Sequence, residues 1–169
     1  MIQTYQNHHP SIHPDAWVAD SADIMGRVSI AEYASIWYQC VLRGDVDAIQ
    51  IGAYSNIQDH CTLHNTRGKP CIVGAHVTVG HRVILHGCEI QDECLVGMGS
   101  IVMDGAVLES GCLLAAGSLV PEHKVLRGGY LYAGSPARER RPLREEEQAF
   151  LQQSAQHYVA LAQAHQNNT

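Results

Sequence analysis

Aromatic residues are scarce in this chain. They make up 6% of its 169 residues, with a single Phe, so a core has to be built from Ile, Val, Leu, Ala and Cys. No apolar run approaches the roughly 18 residues that a membrane-spanning helix needs. The first ten residues, MIQTYQNHHP, lack the basic start and apolar centre of a signal peptide. We therefore expect one cytoplasmic domain with a substantial core and no membrane partner.

Positive charge is also in short supply. Eleven Lys and Arg stand against 17 Asp and Glu, and the formal net charge is -6, which argues against a nucleic-acid partner. The six cysteines contain no CxxC pair, and a chain of this length does not need disulfides to stabilise its fold. Reduced, buried thiols are the better interpretation.

A six-residue repeat runs through most of the chain. Reading it with three breaks in register places Ile, Val or Leu at the first position of every unit. These lead residues are Ile12, Val18, Ile24, Ile30, Ile36, Leu42, Ile51, Ile57, Leu63, Val73, Val79, Leu85, Ile90, Val96, Val102, Leu108, Leu114 and Val120.

The fifth position of the same units is a second, independent signal. It holds a small residue in nearly every unit, including Cys40, Cys61, Cys94 and Cys112. A large aliphatic residue at position one with a small residue at position five is typical of a parallel β-helix, in which three units close one triangular coil. The eighteen leads predict a mainly β protein of about six triangular coils, with those four thiols packed in its core.

Composition changes after the repeat and suggests three segments of a single domain. Residues 1–125 form the predicted β-helix, and the Gly- and Pro-rich segment 126–142 is predicted as a crossover. Residues 143–166 have apolar side chains at helical spacing, and the acidic run Glu145 to Glu147 suits a helix N-terminus. We expect this C-terminal α-helix to pack on the prism of its own chain or of a neighbour.

The repeat also aligns polar residues. At position two of one side, successive coils carry Arg43, His64 and His86, with Met25 below and Met103 above. Neighbouring coils are about 4.8 Å apart. Two imidazoles at that separation can share a zinc ion at about 2.1 Å per bond. The alternative is that the exposed faces of a prism simply carry polar residues, histidine among them.

His81 lies on the preceding side, directly above Asp59. A corner separates it from His64 and His86, so we do not expect the three to meet within one chain. Across a threefold interface, His81 of one protomer could join His64 and His86 of the next, and Arg43 would then face Asp59. Such a metal site would belong to the assembly.

These residues carry a resemblance to the γ-class carbonic anhydrase family. The matching segments are VLRGD (41–45), NIQD (56–59), the histidine of TLH at His64, and GHRVILHGC with His81 and His86. The resemblance implies a left-handed β-helix and a homotrimer with three shared metal sites. It also implies reversible hydration of CO2 to bicarbonate by a metal hydroxide, with Zn2+, or else Fe2+ or Co2+, held by three histidines.

The resemblance also implies roles for five further residues. Arg43 and Asp59 are expected to form an ion pair between protomers, and Asp45 is expected to support that interface. Gln58 should hydrogen-bond the reacting water or hydroxide, and Tyr132 is expected to line the pocket.

The sequence departs from the family where proton-relay acids are expected. Val46 follows Asp45, and the 63–73 segment is basic, so CO2 hydration is expected to be weak. His60 is a candidate proton shuttle, although an ordinary solvent-facing side chain is the simpler interpretation. Cys71 and Cys88, the two cysteines outside position five, leave redox control open.

Two other functions stay open. A metal hydroxide could hydrolyse an acyl-CoA thioester, and the exit motif LYAGSPAR also occurs in hexapeptide acyltransferases. An acyltransferase is expected to have a single catalytic histidine and long loops that fold over the coils. This chain has three aligned histidines and only one modest loop, which disfavours acyl transfer. The remaining alternative is a non-catalytic binding or assembly protein.

Overall fold

A computed structural model describes residues 1–167 of the chain, which form twenty short strands and one helix, α1 (Glu145–Gln166). The strands are β1 (Ile2–Gln3), β2 (Ser11–Ile12), β3 (Trp17–Val18), β4 (Asp23–Ile30), β5 (Ser35–Ile36), β6 (Val41–Ile51), β7 (Asn56–Ile57), β8 (Thr62–His64), β9 (Cys71–Val73), β10 (Thr78–Val79), β11 (Ile84–His86), β12 (Glu89–Ile90), β13 (Leu95–Val96), β14 (Ile101–Val102), β15 (Val107–Leu108), β16 (Leu113–Leu114), β17 (Leu119–Val120), β18 (Val125–Leu126), β19 (Tyr130–Ala133) and β20 (Arg138–Pro142).

The strands stack in parallel along the three faces of a prism. One face contains β8, β11, β14 and β17, and a second contains β9, β12, β15 and β18; the long strand β6 turns the corner between them. The third face runs from β3 through β5, β7, β10, β13 and β16 to β19. The predicted parallel β-helix with a C-terminal helix is therefore confirmed, with about seven turns instead of six.

The extra length lies partly in the segment predicted as a crossover. Leu126 pairs with Leu108, and Tyr132 pairs with Leu114, so the six-residue spacing continues past Val120 for two more rungs. The surrounding Gly and Pro residues concealed this continuation in the sequence. After Tyr132 the chain reverses, and β20 runs antiparallel to β19.

The core is a single column of aliphatic side chains. Every lead residue from Ile24 to Val120 is at most 3% exposed. Burial of one such side chain contributes about 1.5–3 kcal/mol. The stack of leads is therefore the main source of the fold's stability.

All six cysteines are buried free thiols. Cys40, Cys61, Cys94 and Cys112 pack in the core as predicted. Cys71 and Cys88, which sequence reasoning placed outside the core position, are also in the core, at 0% and 2% exposure. The two thiols contact each other, and the hydrogen bond with Cys71, followed by burial, raises the pKa of Cys88.

Helix α1 lies along the third face of its own chain, where it contacts β3, β5, β7 and β10. It buries Leu151, Ser154, Ala155 and Ala162. The Glu147 carboxylate accepts a hydrogen bond from the Arg144 backbone N–H at the start of the helix and a bidentate pair from Arg141. Within residues 1–167, no helix is long and apolar enough to cross a membrane.

Candidate metal centre

Two departures from the repeat shape the face that carries the histidines. In the first, residues 45–48 of β6 lie opposite the single residue Arg27 of β4, because Gly26 pairs with Gly44 and Val28 with Ile49. We call residues 45–48 the excursion. Gly26 permits this close approach, since its φ is +75° and a Cβ there would lie 2.4 Å from the Gly44 carbonyl oxygen.

The second departure is the segment 65–70, which we call the loop. Asn65 is 1% exposed and joins the loop to the excursion: its Oδ1 accepts a hydrogen bond from Asp47 N at 2.9 Å, and its Nδ2 donates to Ala48 O at 3.0 Å. Asp47 in turn accepts from Gly68 N at 2.7 Å. Backbone hydrogen bonds from Ala48 and then Gly68 lower the pKa of Asp47. The excursion and the loop therefore hold each other in place.

His64 and His86 form the centre of the site. They are register partners on β8 and β11, and Arg43 lies one coil below His64. Their ring centroids are 5.1 Å apart, and His64 Nδ1 lies 3.1 Å from His86 Nε2. The stacking of His64 under His86 that the six-residue repeat predicted is therefore observed in the structure.

Each of these imidazoles has its other nitrogen on a carboxylate. His64 Nε2 is 3.0 Å from Asp45 Oδ1, and His86 Nδ1 contacts Asp104 Oδ1. The second oxygen of Asp45 lies 2.6 Å from Arg43 Nη1. Although burial alone would raise it, the pKa of Asp45 is lowered by hydrogen bonds from Arg43 and His64.

Asp104 was not among the residues singled out from the sequence. Met103 stacks on His86 one coil above, and Asp104 is the next residue after Met103. The sequence signal for Asp104 was therefore an acidic residue in the column adjacent to that of a histidine. Lys69 Nζ approaches its second oxygen at 4.0 Å. Burial would raise the pKa of Asp104, but hydrogen bonds with His86 and Thr66 outweigh it and lower the pKa.

His81 lies just after β10 on the third face. Its Nδ1 is 2.8 Å from Asp59 Oδ2, and the other oxygen of Asp59 accepts a hydrogen bond from Tyr38 N at 3.3 Å. Across residues 1–167, no group of three or more His, Cys, Asp or Glu side chains is arranged to hold a metal within the one chain. His81 follows β10 on the third face, whereas His64 and His86 belong to β8 and β11 on the first, so the three histidines lie on different faces.

Gln58 precedes Asp59 and is 5% exposed. Its Nε2 donates to Asn56 Oδ1 at 3.0 Å, and Asn56 donates to Thr78 Oγ1 at 3.1 Å. Thr78 is 3.0 Å from Ser154 Oγ on helix α1. A buried chain of hydrogen bonds therefore runs from the C-terminal helix to Gln58.

The donor set fits a divalent metal. A carboxylate on one nitrogen favours the proton there, which leaves lone pairs on His64 Nδ1 and His86 Nε2. Two such acceptors 3.1 Å apart repel each other unless a cation or a shared proton lies between them. Two ligands of a tetrahedral metal, at about 2.1 Å each, are separated by about 3.4 Å. The spacing and the carboxylate partners are those of histidine metal ligands.

The structure does not bring Tyr132 or His60 into this cluster. Tyr132 is a lead residue of the last coil, 4% exposed, three coils beyond Val79 or about 14 Å at the spacing of stacked strands. His60 is exposed at a corner with φ +62°. Arg43 contacts Asp45 within its own chain, so its pairing with Asp59 of a neighbour stays a prediction.

Known proteins that are similar in sequence to this chain include several named as carbonic anhydrases. The chain is 46% identical over 162 residues to a mitochondrial γ carbonic anhydrase 1 of Arabidopsis thaliana, a match that covers 92% of this chain and 59% of the plant protein. It is 52% identical over 146 residues to a probable carbonic anhydrase of Methanocaldococcus jannaschii, covering 86% of this chain and 92% of that protein. The chain thus spans less than two thirds of the plant relative's length. No family model matches the chain.

A solved structure of a hexapeptide transferase family protein from Anaplasma phagocytophilum is also similar. It superimposes with a TM-score of 0.93 at 46% identity, and the match covers 95% of each chain. Proteins of similar identity to this chain thus have names from two enzyme classes, carbonic anhydrase and hexapeptide transferase.

Proposed function

Because the chain belongs to the γ-class carbonic anhydrase family, we propose that it is a metal-dependent lyase that reversibly hydrates CO2 to bicarbonate as a homotrimer. The observation that supports this most directly is the pair of facing nitrogens on His64 and His86, 3.1 Å apart, with a carboxylate behind each ring. An arrangement that serves only solvation has no need to aim two lone pairs at one point.

The proposed ligands are His64 and His86 of one protomer and His81 of its neighbour. His81 keeps its Nε2 for this purpose because its Nδ1 contacts Asp59. When bound, the metal supplies a Lewis acid that lowers the pKa of a water molecule toward about 7, so that a nucleophile is available near neutral pH. Zinc is the proposed metal, although three neutral imidazoles also accept Fe2+ and Co2+.

The surrounding side chains orient the reactants. Gln58 Nε2 already donates a hydrogen bond to Asn56 Oδ1, so the Oε1 atom is the one assigned to accept a hydrogen bond from the attacking water. Asp45 holds the proton of His64 at Nε2. Arg43 contacts Asp45 within its own chain, and its proposed role is to pair with Asp59 of a neighbouring protomer in the trimer.

Proton export is the expected weak point of this enzyme. Val46 is 37% exposed where the family places an acid, and the loop contributes Arg67 and Lys69 instead of a carboxylate. We therefore expect hydration that is limited by proton transfer to solvent and that accelerates with the concentration of an imidazole buffer. His60→Ala should leave that buffer dependence unchanged if His60 is only a corner residue.

Acyl-CoA hydrolysis or transfer is the second candidate, favoured by the transferase relative of the same fold. A non-catalytic binding or assembly role is the third. The cytoplasmic location also stays a prediction, since the plant relative is named as mitochondrial.

Metal content and turnover together test the proposal. We expect about one metal per chain, a sharp fall on substitution of His64, His81 or His86 by Ala, and CO2 hydration in a stopped-flow assay. Zn, Fe and Co should be measured in the same samples. Hydrolysis of a small acyl-CoA panel without CO2 hydration would favour the second candidate, and turnover of neither would favour the third.

Mixed trimers test the shared site. Co-expressed His81→Ala and His86→Ala chains should recover metal and activity at about a quarter of the interfaces, because some interfaces combine an intact His64 and His86 pair with an intact His81. A mixture of His64→Ala and His86→Ala chains is the matched control and should recover nothing, since those two ligands come from one chain. Recovery in both mixtures, or in neither, would contradict the division of ligands.

A further inference from the structure

Four aspartates, Asp20, Asp59, Asp92 and Asp104, occupy the third position of their hexapeptides, and the last three contact the coil below. Asp59, Asp92 and Asp104 each stand two residues after a lead residue, so their carboxylates lie above the turn of the coil below. Asp92 hydrogen-bonds to the backbone of the coil below, because its Oδ1 accepts a hydrogen bond from Ala75 N at 2.8 Å. Asp59 divides its oxygens between Tyr38 N and His81. Asp104 contacts the His86 ring.

The coil below Asp104 is built to admit its carboxylate. Gly87, directly after His86, has φ +53°, and a Cβ there would lie 2.7 Å from Asp104 Oδ1. Gly105 N also donates to Gly87 O at 2.7 Å, which fixes the two turns against each other. Any larger residue at position 87 would displace the carboxylate from the imidazole.

The loop completes the enclosure. Asp104 is 8% exposed, and the Thr66 side chain hydrogen-bonds to it while Lys69 Nζ lies 4.0 Å away. A carboxylate is costly to bury unless hydrogen bonds and a nearby charge offset its desolvation. Two segments far apart in sequence therefore converge on one carboxylate whose other contact is a histidine ring.

We propose that Asp104 is the positioning residue of His86: by accepting the hydrogen bond from Nδ1–H, it fixes the tautomer and the ring orientation that aim Nε2 at His64 Nδ1. This role rests on the proposed function, which makes His86 a metal ligand. Asp45 does the same for His64, so each ligand of the pair has a carboxylate, and each carboxylate has a cation beside it, Arg43 or Lys69.

Metal affinity separates positioning from packing. Purified Asp104→Ala should bind Zn2+ about 10–100-fold more weakly than the unmodified protein in competition with a chelator, as expected when the outer partner of a ligand is lost. Asp104→Asn keeps an oxygen that can accept from Nδ1–H and should recover most of the affinity. The visible absorption of bound Co2+ should change in the Ala variant and return in the Asn variant.

Asp92→Ala is the matched control, because it removes a carboxylate from the same hexapeptide position where no imidazole is contacted. It should lower the thermal midpoint and leave Zn2+ affinity within about twofold. If Asp104→Ala lowers only the thermal midpoint and binds Zn2+ and Co2+ as the unmodified protein does, Asp104 is a packing residue and the inference is wrong.

The two proposals fail in different ways. An unmodified protein that binds metal without hydrating CO2 refutes the proposed function and leaves the role of Asp104 intact. An active, metal-binding protein whose affinity does not respond to Asp104→Ala refutes the role of Asp104 alone. An unmodified protein with no affinity for Zn2+ or Co2+ refutes both.

Discussion

The coils from Val41 to Cys88 and those from Ile90 to Leu126 have the same cross-section but different content. In the later coils the leads follow one another at six residues without a break: Ile90, Val96, Val102, Leu108, Leu114, Val120 and Leu126. The earlier coils are broken by the excursion (45–48) and the loop (65–70). His64 and His86 both belong to these broken coils, and Asp45, the carboxylate partner of His64, lies in the excursion itself.

The difference teaches where a repetitive fold can hold chemistry. In the regular coils, polar side chains such as Asp92 and Ser100 bond to the backbone of a neighbouring coil. Where the chain leaves the repeat, as at Asp45 and Asn65, side chains are released to contact each other across coils. The regular coils contribute one residue to the site, Asp104, and it reaches the site only because Gly87 in the broken coils makes room.

Core truncation should give the largest effect and should separate stability from binding. Leu63→Ala and Leu108→Ala each remove a side chain with 0% exposure, and each should cost about 2–5 kcal/mol in the free energy of unfolding. Only Leu63 adjoins a proposed ligand, so only its variant should also bind metal more weakly. Urea unfolding and chelator competition measure the two quantities. An equal loss of metal affinity in Leu108→Ala would show that the two parts are not distinct.

The link between the excursion and the loop should give the next largest effect. Asn65→Ala leaves Asp47 N and Ala48 O without their partner, at about 1–3 kcal/mol, and should weaken metal binding because Asp45 belongs to the excursion. Ser100→Ala is the counterpart in a regular coil, where Ser100 Oγ donates to Ala115 O at 3.1 Å. It should lower stability with metal affinity unchanged. If the two variants bind metal equally well, the link does not position Asp45.

Substitution of two glycines by Ala, one in each set of coils, compares the effect of a single added Cβ atom on metal binding. Gly87 and Gly99 both have positive φ, at +53° and +70°, so Ala at either position should cost about 1–2 kcal/mol. Nothing lies within 4 Å of a Cβ at Gly99, whereas a Cβ at Gly87 meets Asp104. Gly87→Ala should therefore lose metal affinity as Asp104→Ala does, and Gly99→Ala should not. Thermal midpoints and Co2+ spectra of the two variants check this.

The smallest effect is expected outside both sets of coils. Hydrogen bonds from Arg141, and then from the Arg144 backbone and side chain, hold the pKa of Glu147 well below its usual range. A lowered carboxyl pKa contributes stability that is present above the unfolded pKa of about 4.3 and is lost as the pH falls below it. Glu147→Gln should be less stable than the unmodified protein at pH 7, and the difference should begin to shrink as the pH falls below about 4.3 and should close only as the pH falls through the lowered pKa of folded Glu147. Thermal midpoints across that range would show it; a constant difference at all pH values would contradict the assignment.

Much of this molecule could be predicted from the sequence because a six-residue period fixes which residues are stacked. The pairing of His64 with His86 follows from counting alone. The contact of Asp104 with His86 could not be predicted, because the two residues occupy adjacent columns of the repeat. They meet only because the backbone turn at Gly87 leaves room for the Asp104 carboxylate. Cys71 and Cys88 were placed outside the core because the loop shifts the register, and Leu126 and Tyr132 were hidden by flanking glycines.

The reversal at β20 has a consequence for how copies of this molecule meet in solution. A parallel β-helix ends in a row of unpaired backbone groups, which is a template for end-to-end polymerisation into fibres. Here β19 is covered by the antiparallel segment Arg138–Pro142, which places three arginines and a proline at that edge. Proline cannot donate a hydrogen bond to a further strand, and the arginines repel a second copy. Growth is thereby opposed at the β19 edge, while the two faces that helix α1 does not cover stay free for association side by side.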